Sequence, residues 1–201
     1  LLTPWYMGDT LPFQKSGNER YLLFHASEEI LKIHLNQIIS DLIKSSSLFD
    51  KVKISVAGVA FGHDSLELLT RVCDLLRAQG VAVQFCGDLK VSEIVSHIKN
   101  AELVISTSLH YRIIAAAYGV RRISIQNSKV KSWTDSWDNL HPSDVVPGQI
   151  FDAVRQEIKI EENILIDDHD KIKLIDFGFS LKCTSKMRLT SFCGTPPYMS
   201  P

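Results

Sequence analysis

AELVISTSLHYRIIAAAYGVRRISI, residues 101–125, holds a strand, a turn, a helix and a second strand in one short stretch. The run Ala101–Thr107 is apolar without alternation, the pattern of a strand covered on both faces. It ends in three hydroxyl residues, Ser106, Thr107 and Ser108. A helix is expected from about Leu109 through Gly119, and Val120–Ile125 reads as the next strand. Free backbone N–H groups and the helix dipole make such a turn a natural anion site. The hydroxyls of Ser106, Thr107 and Ser108 are candidate further donors. His110, in the first helical turn, is expected to face the crevice at the carboxyl edge of the sheet, where open α/β folds bind ligands. A histidine beside an anion can act as general acid or base. The plainer reading of the same residues is a serine cap and an ordinary helix-start histidine.

The same grammar extends upstream. YLLFHA (21–26) is a short apolar run, and the helical segment after it takes its start signals from Ser27 and Glu28. VKISVAGVAF (52–61) is β-branched. The helix that follows has Asp64 or Ser65 as cap and Gly80 as terminator. VAVQFC (81–86) and KVSEIVSHIKN (90–100) complete about five strand–helix rounds. The fold class read here is α/β, a Rossmann-like parallel sheet spanning residues 21–157. Residues 1–20 carry two prolines and two glycines without periodicity and read as a linker or entrance loop. Trp133 and Trp137 are expected to be packing residues, with a sugar platform as the alternative. A helix is expected over GQIFDAVRQEI (148–158).

The pattern changes near residue 157. NILIDDHDKIKLIDFG (163–178) reads as a β-hairpin around the polar turn Asp167–Lys171. A hairpin brings Asn163, before its first strand, close to Asp176, after its second, so two hard oxygen donors suit magnesium on nucleotide phosphates. This stretch and LTSFCGTPPYMSP (189–201) resemble the central piece of a eukaryotic-type protein kinase. The resemblance covers about residues 158–201 and implies Mg with ATP at Asn163 and Asp176. It also implies phosphorylation at Ser191 or the adjacent Thr190, and a packing role for Thr195 beside the catalytic base. The family's base and lysine positions hold Ile158 and Ile160 here, and Glu157 falls near the base position only if one residue is skipped. No glycine-rich loop is read, so this segment alone is not expected to phosphorylate anything. Phe179–Pro201 is expected to be mobile.

The earlier region, about Tyr21 to Val130, resembles the second half of polysaccharide pyruvyl transferases. The likeness rests on YLLFH, VAFGHDSLELL and above all ELVISTSLHYRIIAAAYGV. It implies half of a glycosyltransferase-B-like fold that moves pyruvate from phosphoenolpyruvate onto a sugar. It also implies that Leu109 and His110 are the family's Leu-His pair at the donor site, with His110 catalytic. Many members carry arginine before that pair, where Ser108 stands here, so the donor's identity is left open. Arg112, Arg121 or Arg122 are candidate substitutes for that cation. His25 and His63 read as structural.

Three readings follow: a sugar-modifying transferase with an anionic donor and a sugar acceptor; a fragment of an ATP-dependent serine/threonine kinase; or a non-catalytic binding module or artificially joined gene product. The formal net charge of −1 argues against nucleic acid as a partner. No apolar run has the length of a membrane span. Cys73, Cys86, Cys183 and Cys193 form no CxxC pair and are expected to be reduced thiols in a cytoplasmic protein. The chain begins Leu1-Leu2 and closes in mid-motif, so both ends are expected to be cut.

Overall fold

The computed structural model describes residues 19–57, 63–87, 90–139, 141–162, 164–166 and 172–174. The chain divides into two units, Leu1–Val154 and Arg155–Pro201.

In the first unit strands and helices alternate as β1 (Tyr21–His25), α1 (Glu28–Ser46), β2 (Lys51–Ser55), α2 (Leu66–Ala78), β3 (Val83–Cys86), α3 (Val91–Asn100), β4 (Leu103–Ser106), α4 (Leu109–Ala117) and β5 (Arg121–Ser124). The five strands form one sheet in the order β3-β2-β1-β4-β5, and every neighbouring pair is parallel. The Rossmann-like sheet expected from the sequence is therefore present. The chain builds outward from β1 to β3, then crosses to β4 on the other side of β1. That reversal leaves a crevice at the carboxyl ends of β1 and β4, in register at His25↔Ser106.

Burial explains why these segments are strands. Leu22, Leu23 and Phe24 are fully buried, as are Leu103 and Ile105. Leu23 joins Val104, Ile98, Tyr111, Ala115 and Val120 in a cluster between the sheet and helices α3 and α4. Because strand side chains alternate, Leu22 and Phe24 face the opposite layer, where α1 and α2 pack together. Each fully buried Leu or Phe contributes roughly 1.5–3 kcal/mol of transfer free energy, so β1 is the most heavily anchored strand.

Ser65 is the α2 cap, accepting from the Leu68 N–H at 3.3 Å, and the helix stops at Gly80 with φ +77°. Asp64, the alternative cap, is turned instead toward β1.

Two features lay outside the sequence expectations. A helix, α5 (Ser128–Trp137), follows β5 and is capped by the Asn127 side chain accepting from Lys129 N–H. Trp137, at its end, is 61% exposed, which corrects the packing role expected of it; Trp133 is half-buried. The second feature is the length of α6, Ile150–Glu162, which runs through the expected change of grammar at residue 157. Its start is fixed by Asp41 of α1, whose buried carboxylate accepts from Gly148 N–H at 2.8 Å and Ile150 N–H at 3.1 Å. Gly148 at φ +98° supplies the left-handed backbone that delivers those amides.

In the second unit β6 (Ile164–Ile166) and β7 (Ile172–Leu174) pair antiparallel as a separate two-stranded sheet. Their antiparallel pairing is that of the expected hairpin, whose turn, Asp167–Lys171, lies outside the described residues. Asn163, Asp176, Thr190, Ser191, Thr195 and the Phe179–Pro201 segment lie outside the described residues.

Candidate functional site

A cleft of about 790 Å³ opens at the carboxyl edge of the sheet, where the strand order reverses. One wall is the turn after β4, with Thr107, Ser108, Leu109 and His110. Another side comes from the start of α1, with Ser27, Glu29 and Ile30, and His63 and Asp64 lie before α2. Gln126–Val130, the start of α5, closes a third side. The amino ends of α1, α4 and α5 therefore converge on one space, and the partial positive charge of each helix start favours an anion there.

His110 is exposed and lines the cleft, as expected. Ser108 is the α4 cap residue, with extended backbone (φ −89°, ψ 126°) and no side-chain capping bond. Ser108 is among the residues that line the cleft.

The other two hydroxyls have partners inside the protein. Ser106 is buried and does not line the cleft; its Oγ accepts from Ser108 N–H at 2.8 Å and meets His25 Nδ1 at 2.9 Å. Thr107 Oγ1 accepts from Ser27 N–H at 2.9 Å, so it ties α1 to the turn. The Thr107 carbonyl accepts from the Asn127 side chain at 3.1 Å, tying α5 to it as well. Ser106 lies behind the wall, while Thr107, Ser108, Leu109 and His110 line the cleft.

The candidate cations are also reassigned. Arg112 is 1% exposed and spends all five of its N–H groups inside the protein. They go to the carboxylate and carbonyl of Asp138 and to Ser124 Oγ, Pro142 O and His141 O. Arg122 forks onto the same Asp138 at 2.7 and 2.6 Å. Arg121 pairs with Glu102 at 3.0 Å. None of the three lines the cleft. The cation at its edge is Lys129, in the first turn of α5. Sequence reading missed it because α5 itself was not foreseen.

His25 was read as structural, and it is nearly fully buried at the floor of the cleft. Its Nε2 meets Asp64 Oδ1 at 3.0 Å, while Asp64 Oδ2 accepts from Ala57 N–H at 2.7 Å. Tyr111 of α4 stacks on the ring at 4.9 Å between centroids. Burial pushes the Tyr111 hydroxyl above its ordinary pKa, partly offset by its 2.7 Å hydrogen bond with Ser55. It therefore stays protonated and donates to the Val56 carbonyl at 3.2 Å. Among the described residues no group of three or more His, Cys, Asp or Glu side chains could hold a metal ion. No helix of the described residues is long and apolar enough to cross a membrane.

Comparison with known proteins decides the family. The family described as polysaccharide pyruvyl transferase matches residues 5–129. The chain belongs to it. The match takes in the whole sheet and the α4 turn, and it begins ahead of Tyr21, inside the stretch expected to be a linker.

Residues 154–201 match a second family, the protein kinase domain. The curated relatives include serine/threonine-protein kinase kin-29 of Caenorhabditis briggsae, 50% identical over 48 residues, 24% of this chain and 6% of the relative. Another is cGMP-dependent protein kinase 2 of Mus musculus, 34% identical over 68 residues, 34% of this chain and 8% of the relative. The phosphorylase b kinase gamma catalytic chain, liver/testis isoform, of Mus musculus is 46% identical over 48 residues, 24% of this chain and 12% of the relative. The chain thus spans only a small part of these kinases.

Among solved structures, UDP-GlcNAc 2-epimerase from Neisseria meningitidis, bound to UDP-GlcNAc, superposes with TM-score 0.52 at 13% identity, covering 76% of this chain and 38% of that one. The Methanocaldococcus jannaschii UDP-GlcNAc 2-epimerase gives TM-score 0.50 at 13% identity, covering 80% and 42%. The likeness is one of fold: half of a glycosyltransferase-B-like architecture.

Proposed function

We propose that the α/β unit is the donor-binding half of a sugar-modifying transferase that moves pyruvate from phosphoenolpyruvate onto a sugar. The observation that carries this reading is the convergence of the α4 and α5 amino ends, with Lys129 and His110, on one cleft at the sheet's switch point. Phosphoenolpyruvate carries a phosphate and a carboxylate. Backbone N–H groups at the start of α4, the Ser108 hydroxyl and Lys129 supply donors and positive charge for both. Ser108 in place of arginine removes a forked cation from the turn, and Lys129 compensates with a point charge from the facing helix. His110, exposed at the mouth, is placed to pass a proton to or from the reacting oxygen atoms. Glu29, also lining the cleft, suits a hydroxyl-bearing sugar better than a second anion.

The test is thermal. Millimolar phosphoenolpyruvate should raise the melting temperature of the chain by mass action, and His110→Ala should abolish the rise. A wild-type protein indifferent to the ligand would sink the donor reading.

A second reading applies to residues 154–201, because the kinase match there is separate and covers a different segment. The pairing Ile164↔Leu174 brings together the strand ends bordering Asn163 and Asp176. In a complete kinase lobe those two residues would hold Mg with ATP, and Thr190 or Ser191 would take phosphate. Magnesium-dependent ATP binding lost in Asp176→Asn is the expected signature, and its absence would remove this reading.

A further inference from the structure

We infer that His25, oriented by Asp64, is a positioning residue for the anion-binding turn, acting through Ser106; this deepens the donor reading above and rests on it. For a neutral imidazole the geometry permits one chain of protons. A carboxylate only accepts, so at 3.0 Å the Nε2 of His25 carries the hydrogen given to Asp64. In the neutral ring Nδ1 is then a bare acceptor, and the Ser106 hydroxyl donates to it at 2.9 Å. The Ser106 oxygen, its own proton committed, accepts from Ser108 N–H at 2.8 Å. The order Ser108 N–H, Ser106 O–H, His25 Nε2–H, Asp64 runs in a single direction, and hydrogen bonds aligned this way polarise one another.

Further contacts hold the ring in place. Its backbone sits in the β1–β4 register at His25↔Ser106, and Tyr111 covers one face. The other Asp64 oxygen is held by Ala57 N–H. What this rigidity fixes is the amide of Ser108, the residue that caps α4 and begins the wall facing the cleft. With Ser108 N–H turned inward, the next amides along, at Leu109 and His110, are left at the helix start. In the other neutral tautomer Nε2 would be a bare acceptor facing the Asp64 carboxylate at 3.0 Å, two acceptors with no proton between them.

Two ligand-free readouts test this on the full chain. Nitrogen-15 histidine spectra should show His25 as the Nε2–H tautomer, and amide exchange at Ser108 should be slowed. His25→Leu removes the acceptor and should speed Ser108 exchange at least tenfold. His25→Asn, whose side-chain oxygen stands near the former Nδ1, should restore most of the protection. Titration with phosphoenolpyruvate should follow the same order: at least tenfold weaker for His25→Leu and Ser106→Ala, within about threefold for His25→Asn.

A His25 proton on Nδ1, or folded His25→Leu with unchanged Ser108 exchange, would overturn the inference. So would folded His25→Leu and Ser106→Ala variants binding phosphoenolpyruvate as wild type does. Should the wild type ignore phosphoenolpyruvate while the tautomer and exchange results hold, the donor reading fails and the relay stands.

Discussion

Tyr111 and Arg112 are neighbours on α4, yet each serves a different buried polar cluster. Tyr111 stacks on His25, whose relay runs from Asp64 through Ser106 to a backbone amide on the cleft wall. Arg112 enters a closed knot in which two guanidiniums share Asp138, and its remaining N–H groups bind carbonyls and Ser124. The knot ends on main-chain oxygens of residues 138–142 and presents nothing to the cleft. Its work is to hold the chain after α5 against α4 and β5. The relay leads to the site. Buried polarity next to a cleft is thus of two kinds, one that closes a loop and one that aims a ligand-binding turn.

The comparison breaks most easily at Asp138. Asp138→Ala leaves two buried guanidiniums without their shared carboxylate, and losing one partner of a buried pair costs about 3–5 kcal/mol. Denaturant unfolding should show that loss, the largest of the single substitutions considered. Phosphoenolpyruvate affinity, measured where the variant is folded, should stay within about threefold of wild type. A large affinity loss with intact folding would mean that the knot also aims the site. Asp64→Asn should behave in the opposite way. Its stability cost should be smaller, about 1–3 kcal/mol for disturbed buried hydrogen bonds, while the affinity falls tenfold or more. Equal affinity in the two folded variants would erase the distinction between the clusters.

How much of this was legible in the sequence follows from what each signal depends on. The strands and helices of the sheet were readable because burial on both faces writes unbroken apolar runs such as YLLFH and LVIS. Helix α5 was not, because SKVKSWTDSW buries only Val130 and Thr134 and carries no apolar period. With α5 hidden, Lys129 was hidden too. Ser108–His110 could be placed at the cleft because a helix start after a parallel strand has one location. Which hydroxyls face inward could not, since Ser106 is turned in by His25 of the neighbouring strand, 81 residues away in sequence. Arg112 looked like an available cation because sequence shows charge and not saturation. The kinase-like motif was readable from its spacing, and residues 154–201 match that family, but its proposed metal residues lie outside the described residues.

Smaller effects sharpen the contrast further. Ser65→Ala removes the α2 cap beside Asp64 and should cost about 0.5–1 kcal/mol, the low end for a capping bond of this length. Because Ser65 makes no bond in the relay, Ser108 exchange should be unchanged. Acceleration there would show that Asp64 depends on the α2 cap for its own orientation.

The smallest effect belongs to Trp137, which directly precedes Asp138 in the chain. One residue is the centre of the knot and 4% exposed; the other is 61% exposed at the end of α5. Exposed side chains away from buried contacts usually alter stability by less than about 0.5 kcal/mol. Trp137→Ala should therefore leave the unfolding midpoint almost unmoved, despite the size of the ring removed. The adjacent pair then separates side-chain bulk from connectivity: the larger group contributes little, and the smaller one ties two buried cations and the loop together. A Trp137→Ala loss approaching that of Asp138→Ala would show that the ring covers the knot in solution, and the closed cluster would have to be redrawn to include it.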